Sequence, residues 1–203
     1  MKAIILLNGD PYLGEIDTQN AYVVCADGGY NWAKNKLKID ETVGDLDSAV
    51  GEIYPVPTLV YPSEKDQTDG EIAVERVLEI AKDKQIESVE IYGGGGGRED
   101  HFLGNIHLLY RLAKRGLPCT MYTNNSRLFA FTMGATLTGL KGVTLSLLPL
   151  GGDVQVAKTT GLQYGANCLT LRYGSCRGIS NVIIEEKAEI YLTSGVALCI
   201  VNA

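Results

Sequence analysis

Six aspartates stand where short apolar runs of the sequence give out. Asp27 lies in "CADGG" (25–29), Asp45 and Asp47 in "GDLDS" (44–48), Asp66 and Asp69 in "KDQTD" (65–69). Asp100 follows a tract of glycines in "YGGGGGREDHFLGN" (92–105). A single aspartate after a strand is an everyday turn or helix-capping residue, and Asp69, where a helical pattern begins, suits a cap. Six arriving from successive runs are another matter. Carboxylates gathered together repel and raise one another's pKa unless a cation sits among them. Hard oxygen donors beside a phosphate substrate suit Mg²⁺.

The glycine tract carries a complementary chemistry. Glycine at five adjacent positions, 93–97, forfeits more chain entropy on folding than any other residue would. Stripped of side chains between an apolar run and a helical pattern, such a loop lets backbone N–H groups converge on an anion at a helix N-terminus. Arg98 closes the loop and can grip phosphate oxygens through two N–H groups at once. Asp100 can hold a metal on those same oxygens, and His101 suits either a phosphate donor or a first-turn packing residue. His107, further along the helix, reads as structural. Counting excludes two common phosphate loops. Arg98, Glu99 and Asp100 stand three places after Gly95, Gly96 and Gly97, so no G-x-G-x-x-G fits, and no Lys follows to complete G-x-x-x-x-G-K-[ST].

Placing these residues falls to two halves of unlike texture. "AIILLNG", "YVVCADGG", "ETVGDLDS", "TLVYPS", "SVEIYGG" and "CTMYTNN" read as strands, each stopping at Gly, Asp, Asn or Ser. Between the fourth and fifth, Val74, Val77, Leu78 and Ala81 mark one face of a helix; after the glycines, Phe102, Ile106, Leu109 and Ala113 mark another, which Gly116 stops. Strands alternating with helices predict an open parallel sheet covered on both faces, with ligands outside the carboxyl ends of its strands. From about residue 128 the pattern turns to period two: "ATLTGL", "VTLSLLPL", "CLTLRYG", "NVIIEE" and "AEIYLTSGVALCIVN". That predicts an all-β sandwich or barrel without helices. The expected division is an α/β domain over 1–126 and a β domain over 127–203, joined at 124–127.

Composition narrows the partners. The 203 residues are 45% hydrophobic and 21% charged with net charge −6, which suits a globular protein and gives no basic footprint for nucleic acid. No apolar run approaches the roughly 20 residues of a membrane span, and "MKAIILLNGD" reads as a first strand rather than a signal peptide. Five scattered cysteines, Cys25, Cys119, Cys168, Cys176 and Cys199, form no C-x-x-C pair and suit reduced thiols in a cytoplasm.

In their order, "ADGG", "GDLDS", "KDQTD" and "GGGGGREDHFLGN", with "GLQYGA" (161–166) and "GSCRGISN" (174–181) near the C-terminus, resemble the thiamin pyrophosphokinase family. The resemblance covers nearly the whole chain. It implies an N-terminal α/β domain binding ATP and Mg²⁺ and a C-terminal β-sandwich binding thiamin. It implies a homodimer in which thiamin lies between one chain's α/β domain and the other's β domain. The reaction it implies is diphosphoryl transfer from ATP to the hydroxyethyl oxygen of thiamin. Carried over, Asp45, Asp47, Asp69 and Asp100 are the metal ligands and catalytic carboxylates. Asp27, Asp66, Gln67, Thr68, Gly95, Gly96, Arg98, His101 and Asn105 serve ATP and its phosphates, and Tyr164, Ser180 and Asn181 serve thiamin. The chain departs from the family pattern at Glu99, Gln67 and Gly70, and "YGA" lacks the proline that commonly follows the aromatic. Rival readings are a diphosphokinase for a pterin alcohol on the same scaffold and a nucleotide sensor without chemistry. A dinucleotide oxidoreductase fails on the glycine count.

Overall fold

A computed structural model describes residues 1–45 and 55–202. The chain divides into two compact units, Met1–Leu108 with Cys119–Asn124, and Leu109–Pro118 with Asn125–Ala203. The second half of the helix after the glycines therefore groups with the β-rich unit, which a single cut in the sequence does not anticipate.

The first unit begins with β1 (Lys2–Leu6), β2 (Ala21–Ala26), α1 (Gly29–Ala33), β3 (Glu41–Gly44) and β4 (Thr58–Val60). It continues with α2 (Asp69–Ile80), β5 (Ser88–Tyr92), α3 (Glu99–Lys114, shared between the units) and β6 (Cys119–Tyr122). Its strands pair in the order β4-β3-β2-β1-β5-β6, every pairing parallel. Ala3, Ile4, Ile5 and Leu6 of β1 are fully buried, as a central strand covered on both faces requires. The chain runs outward from β1 to β4 and then returns to β1's other side with β5, so the order reverses between β1 and β5. Crevices at such a reversal are where open α/β sheets bind ligands.

Helix α2 starts where a capping box fixes it: the Glu71 N–H donates to the Thr68 hydroxyl and the Thr68 N–H to the Glu71 carboxylate. Its buried face runs through Gly70, Ala73, Val74, Val77 and Ile80, while Leu78 and Ala81 are only half-buried. The apolar stripe is thus wider than the expected four residues and rotated from them. Helix α3 ends in a Schellman motif, with Gly116 at φ +72° and the Leu117 N–H donating to the Leu112 carbonyl at 3.1 Å. No helix among the described residues is long and apolar enough to cross a membrane.

The second unit contains β7 (Ser126–Phe131), β8 (Gly134–Thr138), β9 (Thr144–Pro149), β10 (Val154–Thr160) and β11 (Leu169–Leu171). It closes with β12 (Asn181–Val182), β13 (Lys187–Ser194) and β14 (Ala197–Asn202). Two antiparallel layers, β12-β9-β14-β7 and β11-β10-β13-β8, enclose a core that includes Leu137, Leu145, Leu147, Val156, Ile183 and Ile190. This is a sandwich. The long run 188–202 divides at Gly195 (φ +90°) into β13 and β14, which join different layers, and "NVIIEE" supplies only two strand residues. Strands β7 and β10 are additions to the sequence reading. In β10 the register shifts twice between Gln155 and Lys158, so burial passes from Val154 and Val156 to Thr159 and the period-two signal breaks.

The glycine tract has steric reasons of its own. A Cβ on Gly93 would strike the Leu7 carbonyl, one on Gly94 the Met121 sulfur, and one on Gly96 the Asp10 carboxylate. Gly97 shares the positive φ but faces open space. Gly97→Ala is therefore expected to cost only backbone strain, about 1–2 kcal/mol. Gly93→Ala adds a clash with immovable backbone and should cost about 2–5 kcal/mol. Urea denaturation of both variants checks this, and equal losses would contradict the packing account.

Candidate active site

Three aspartates from three elements of the first unit converge. Asp27 follows β2, Asp45 follows β3 and Asp69 opens α2, and one carboxylate oxygen from each lies within 4.8 Å of the others. Backbone geometry sets them there. Asp27 takes a positive φ of 40° while its N–H donates to the Val43 carbonyl at 2.8 Å. Gly44 separates the strands' ends at φ +141°, and a Cβ there would come within 3.0 Å of both Asp27 Cβ and Asp69 Oδ1. Only glycine lets the carboxylates approach so closely.

The electrostatics are incomplete without a further cation. Asp27 is 5% exposed, and its Oδ1, like Asp69 Oδ1, is buried without a hydrogen-bond partner. Lys65 supplies one positive charge: its Nζ donates to Asp45 Oδ2 at 2.9 Å and lies 3.1 Å from Asp69 Oδ1, close but without hydrogen-bond alignment. Burial lifts the Asp69 carboxyl above the usual carboxylate range, and the charges of Asp45 and Asp27 add to it, outweighing the downward pull of Lys65. Burial opposes the charge on Lys65, but the hydrogen bond to Asp45 and the ion pair with Asp69 prevail and hold its ammonium above the ordinary lysine range. Orphaned buried oxygens, all of them hard donors, fit a divalent cation such as Mg²⁺.

The other expected residues distribute differently. Asp47 lies outside the described residues. Asp66 and Gln67 are exposed and stand outside the carboxylate cluster, and Thr68 spends its hydroxyl on the α2 cap. Asp100 also lies outside the cluster. Its carboxylate takes a two-pronged grip from Arg98, Nη2 to Oδ2 at 2.6 Å and Nε to Oδ1 at 3.1 Å, on an exposed surface. That pairing, with the His101 N–H also donating to Asp100 Oδ1, depresses the Asp100 pKa. The His101 side chain is exposed. Asn105 donates from its side-chain amide to the Gly94 carbonyl at 2.9 Å, tying α3 to the glycine loop.

Two groups went unassigned in the sequence. Lys65 stands inside "KDQTD", and only three-dimensional proximity gives it a role. The segment Asn8–Gly9–Asp10 continues β1 and runs along the glycine loop, the Gly9 N–H donating to the Gly93 carbonyl at 2.8 Å and the Asp10 N–H to Gly95 at 2.9 Å. Asp10 obeys the same strand-end rule as Asp27 and was legible by it.

The second unit holds its own cavity of about 500 Å³. Leu147, Leu162, Leu169 and Leu171 make it apolar, and Tyr164 and Asn181 line it as well. Ser180 does not; its backbone, at φ +60°, donates to the Ser146 hydroxyl at 3.2 Å. Asn181 is committed to the loop bearing Tyr164. Its Oδ1 accepts the Tyr164 N–H at 3.0 Å and its Nδ2 donates to the Tyr164 carbonyl at 2.7 Å. The same loop is pinned again where the Ala166 N–H donates to the Thr159 hydroxyl at 2.8 Å. Arg177 also lines the cavity and was not anticipated.

Comparison with known proteins meets both halves. Residues 14–121 match the family described as thiamin pyrophosphokinase, catalytic domain, and residues 133–197 the family described as thiamin pyrophosphokinase, vitamin B1 binding domain. The thiamine pyrophosphokinase of Bacillus subtilis is 32% identical over 168 residues, covering 79% of this chain and 77% of that one. Thiamine pyrophosphokinase 3 of Oryza sativa is 26% identical over 200 residues, covering 84% and 74%. A crystal structure of the Bacillus subtilis enzyme superimposes with a TM-score of 0.84 at 27% identity, over 100% of this chain and 99% of that one. The chain belongs to the thiamin pyrophosphokinase family, and its activity is that of a thiamin diphosphokinase.

Proposed function

We propose that the carboxylates of the first unit serve ATP and Mg²⁺ and that the cavity of the second takes thiamin, in an enzyme that moves a diphosphoryl group from ATP to the hydroxyethyl oxygen of thiamin, releasing AMP. The observation that carries the reading is the meeting of Asp27, Asp45 and Asp69 with two buried oxygens that make no hydrogen bond among the described residues. Asp27, Asp45 and Asp69 would hold Mg²⁺, joined by Asp47 by family resemblance. Bound there, Mg²⁺ supplies positive charge against the polyphosphate oxygens, on which most of the catalysis of phosphoryl transfer depends.

The remaining work belongs to side chains. Arg98, now satisfied by Asp100, exchanges that partner for phosphate oxygens, which suit its planar fork equally well. Asp100, thereby released, would by the family resemblance hold Mg²⁺ on those same oxygens. Asp66, Gln67, Thr68, Gly95, Gly96 and His101 stand as phosphate-side candidates from the resemblance, while Asn105 holds the glycine loop in place. A carboxylate of the set takes the hydroxyl proton as the new O–P bond forms. Thiamin carries a cationic thiazolium ring, so an apolar cavity with an aromatic face suits it. Tyr164 provides that face, Asn181 fixes the loop that presents it, and Ser180 stands close by in sequence. The vitamin B1 binding match over 133–197 favours thiamin over a pterin alcohol, since that is the half in which the two enzymes would differ. The family resemblance supports a homodimer and a cytoplasmic setting.

Coupled assay of AMP release tests the assignment. The wild-type chain with ATP, Mg²⁺ and thiamin should produce AMP, and Asp69→Asn should lower the rate about a hundredfold or more. Wild-type turnover in that variant would sink the metal assignment. Without nucleotide, a divalent cation at 100 times its Kd should stabilise the wild type by about 2.7 kcal/mol. Thermal unfolding should lose that gain in EDTA and in Asp69→Asn. For the second half, Tyr164→Ala should raise the thiamin KM about tenfold with little change for ATP. Asn181→Ala should follow it in direction, because it frees the same loop; equal effects on both substrates would count against stacking.

A further inference from the structure

Lys65 has no part in the assignments above, yet it sits at their centre. Its side chain is 14% exposed, and its ammonium contacts Asp45 at 2.9 Å and Asp69 at 3.1 Å. Among the described residues no such cation faces Asp27, and its buried Oδ1 has no hydrogen-bond partner. Among the described residues the cluster brings three carboxylates to the single ammonium of Lys65, which touches two of them. A divalent ion takes its oxygens at about 2.0–2.2 Å, far closer than an ammonium does. Ligated by oxygens of Asp45 and Asp69, it would stand next to the ammonium that now holds them. Two cations at that distance repel strongly, more so where burial weakens screening. Lysine is suited to yielding, because its charge is a compact point on a flexible four-carbon stem.

We infer that Lys65 is a tethered counter-ion: it holds the carboxylates together until a divalent cation takes its place, and cation binding expels its ammonium toward the incoming polyphosphate. The inference rests on the metal reading given under Proposed function. It makes Lys65 a positioning residue that keeps a repulsive cluster assembled in the metal-free chain and then becomes available to the nucleotide. It also orders the events, since the ammonium is freed by the metal and not by ATP.

The test is lysine reactivity in the full-length chain without nucleotide. The protein is treated with limiting acetic anhydride with and without Mn²⁺, and acetylation is read peptide by peptide by mass spectrometry. Free Mn²⁺ is followed by electron paramagnetic resonance in the same samples, with Asp69→Asn alongside. On filling of the site, labelling of Lys65 should rise about fivefold, the scale set by one partly buried ion pair, while exposed Lys82 and Lys114 stay unchanged. Mn²⁺ bound in an Asp69-dependent way with Lys65 still protected would overturn the inference and leave the metal site standing. No Mn²⁺ binding, or binding indifferent to Asp69→Asn, would overturn the metal site and the inference with it. A pair of variants gives an independent reading. Lys65→Met should bind Mn²⁺ about fivefold more tightly, and Lys65→Arg no more tightly than wild type. Weaker binding by Lys65→Met would contradict displacement.

Discussion

Mutual repulsion among Asp27, Asp45 and Asp69 is the constraint around which this chain is arranged. Their oxygens meet within 4.8 Å in surroundings that leave Asp27 Oδ1 and Asp69 Oδ1 without hydrogen bonds. A folded chain tolerates such an arrangement only if other interactions hold it, because burying an uncompensated carboxylate opposes folding. Here the parallel sheet does the holding. Fully buried β1 and the ladders from β1 to β4 fix where β2 and β3 end, while the capping box fixes where α2 begins. Lys65 offsets part of the charge, and what remains suits the divalent ion proposed for the cluster.

The glycine loop follows a strand of the same parallel sheet. It leaves β5 beside the end of β1, where the strand order reverses, and two backbone hydrogen bonds from Gly9 and Asp10 dock it there. Each missing side chain has a local cause: the Leu7 carbonyl at Gly93, the Met121 sulfur at Gly94, the Asp10 carboxylate at Gly96. Close packing against β1 and β6 and the freedom to bind phosphate thus make the same demand on sequence. In the second unit, Asn181 and Thr159 use backbone hydrogen bonds to hold one loop on the wall of an apolar cavity. Each unit fixes a loop through side chains committed to main-chain partners.

Much of this was legible from residue order alone. The strand ends carrying Asp27 and Asp45 could be read because an open parallel sheet delivers its carboxyl ends to one rim, where the helix start carrying Asp69 also falls. The two-domain texture was legible because the hydrophobic period changes near residue 128. Proximity across elements was not. Lys65 and Asp69 are four apart in sequence, but Asp45 reaches Lys65 from another strand. Arg98 and Asp100 were given separate duties, whereas their short separation lets them satisfy each other. Strand β10 hid because its irregular pairing breaks the alternation on which strand reading depends. Asn181 looked like a substrate contact; only coordinates reveal that its amide is engaged with Tyr164.

In the proposed site, carboxylates from two strand ends and one helix start jointly hold one divalent cation. Anomalous diffraction from crystals grown with Mn²⁺ and a non-hydrolysable ATP analogue tests it most directly. The expected result is a peak about 2.0–2.2 Å from oxygens of Asp45 and Asp69 and bordered by Asp27, with the phosphate chain on its open side. A peak on unrelated carboxylates, or phosphates bound without any ion at this cluster, would contradict the account.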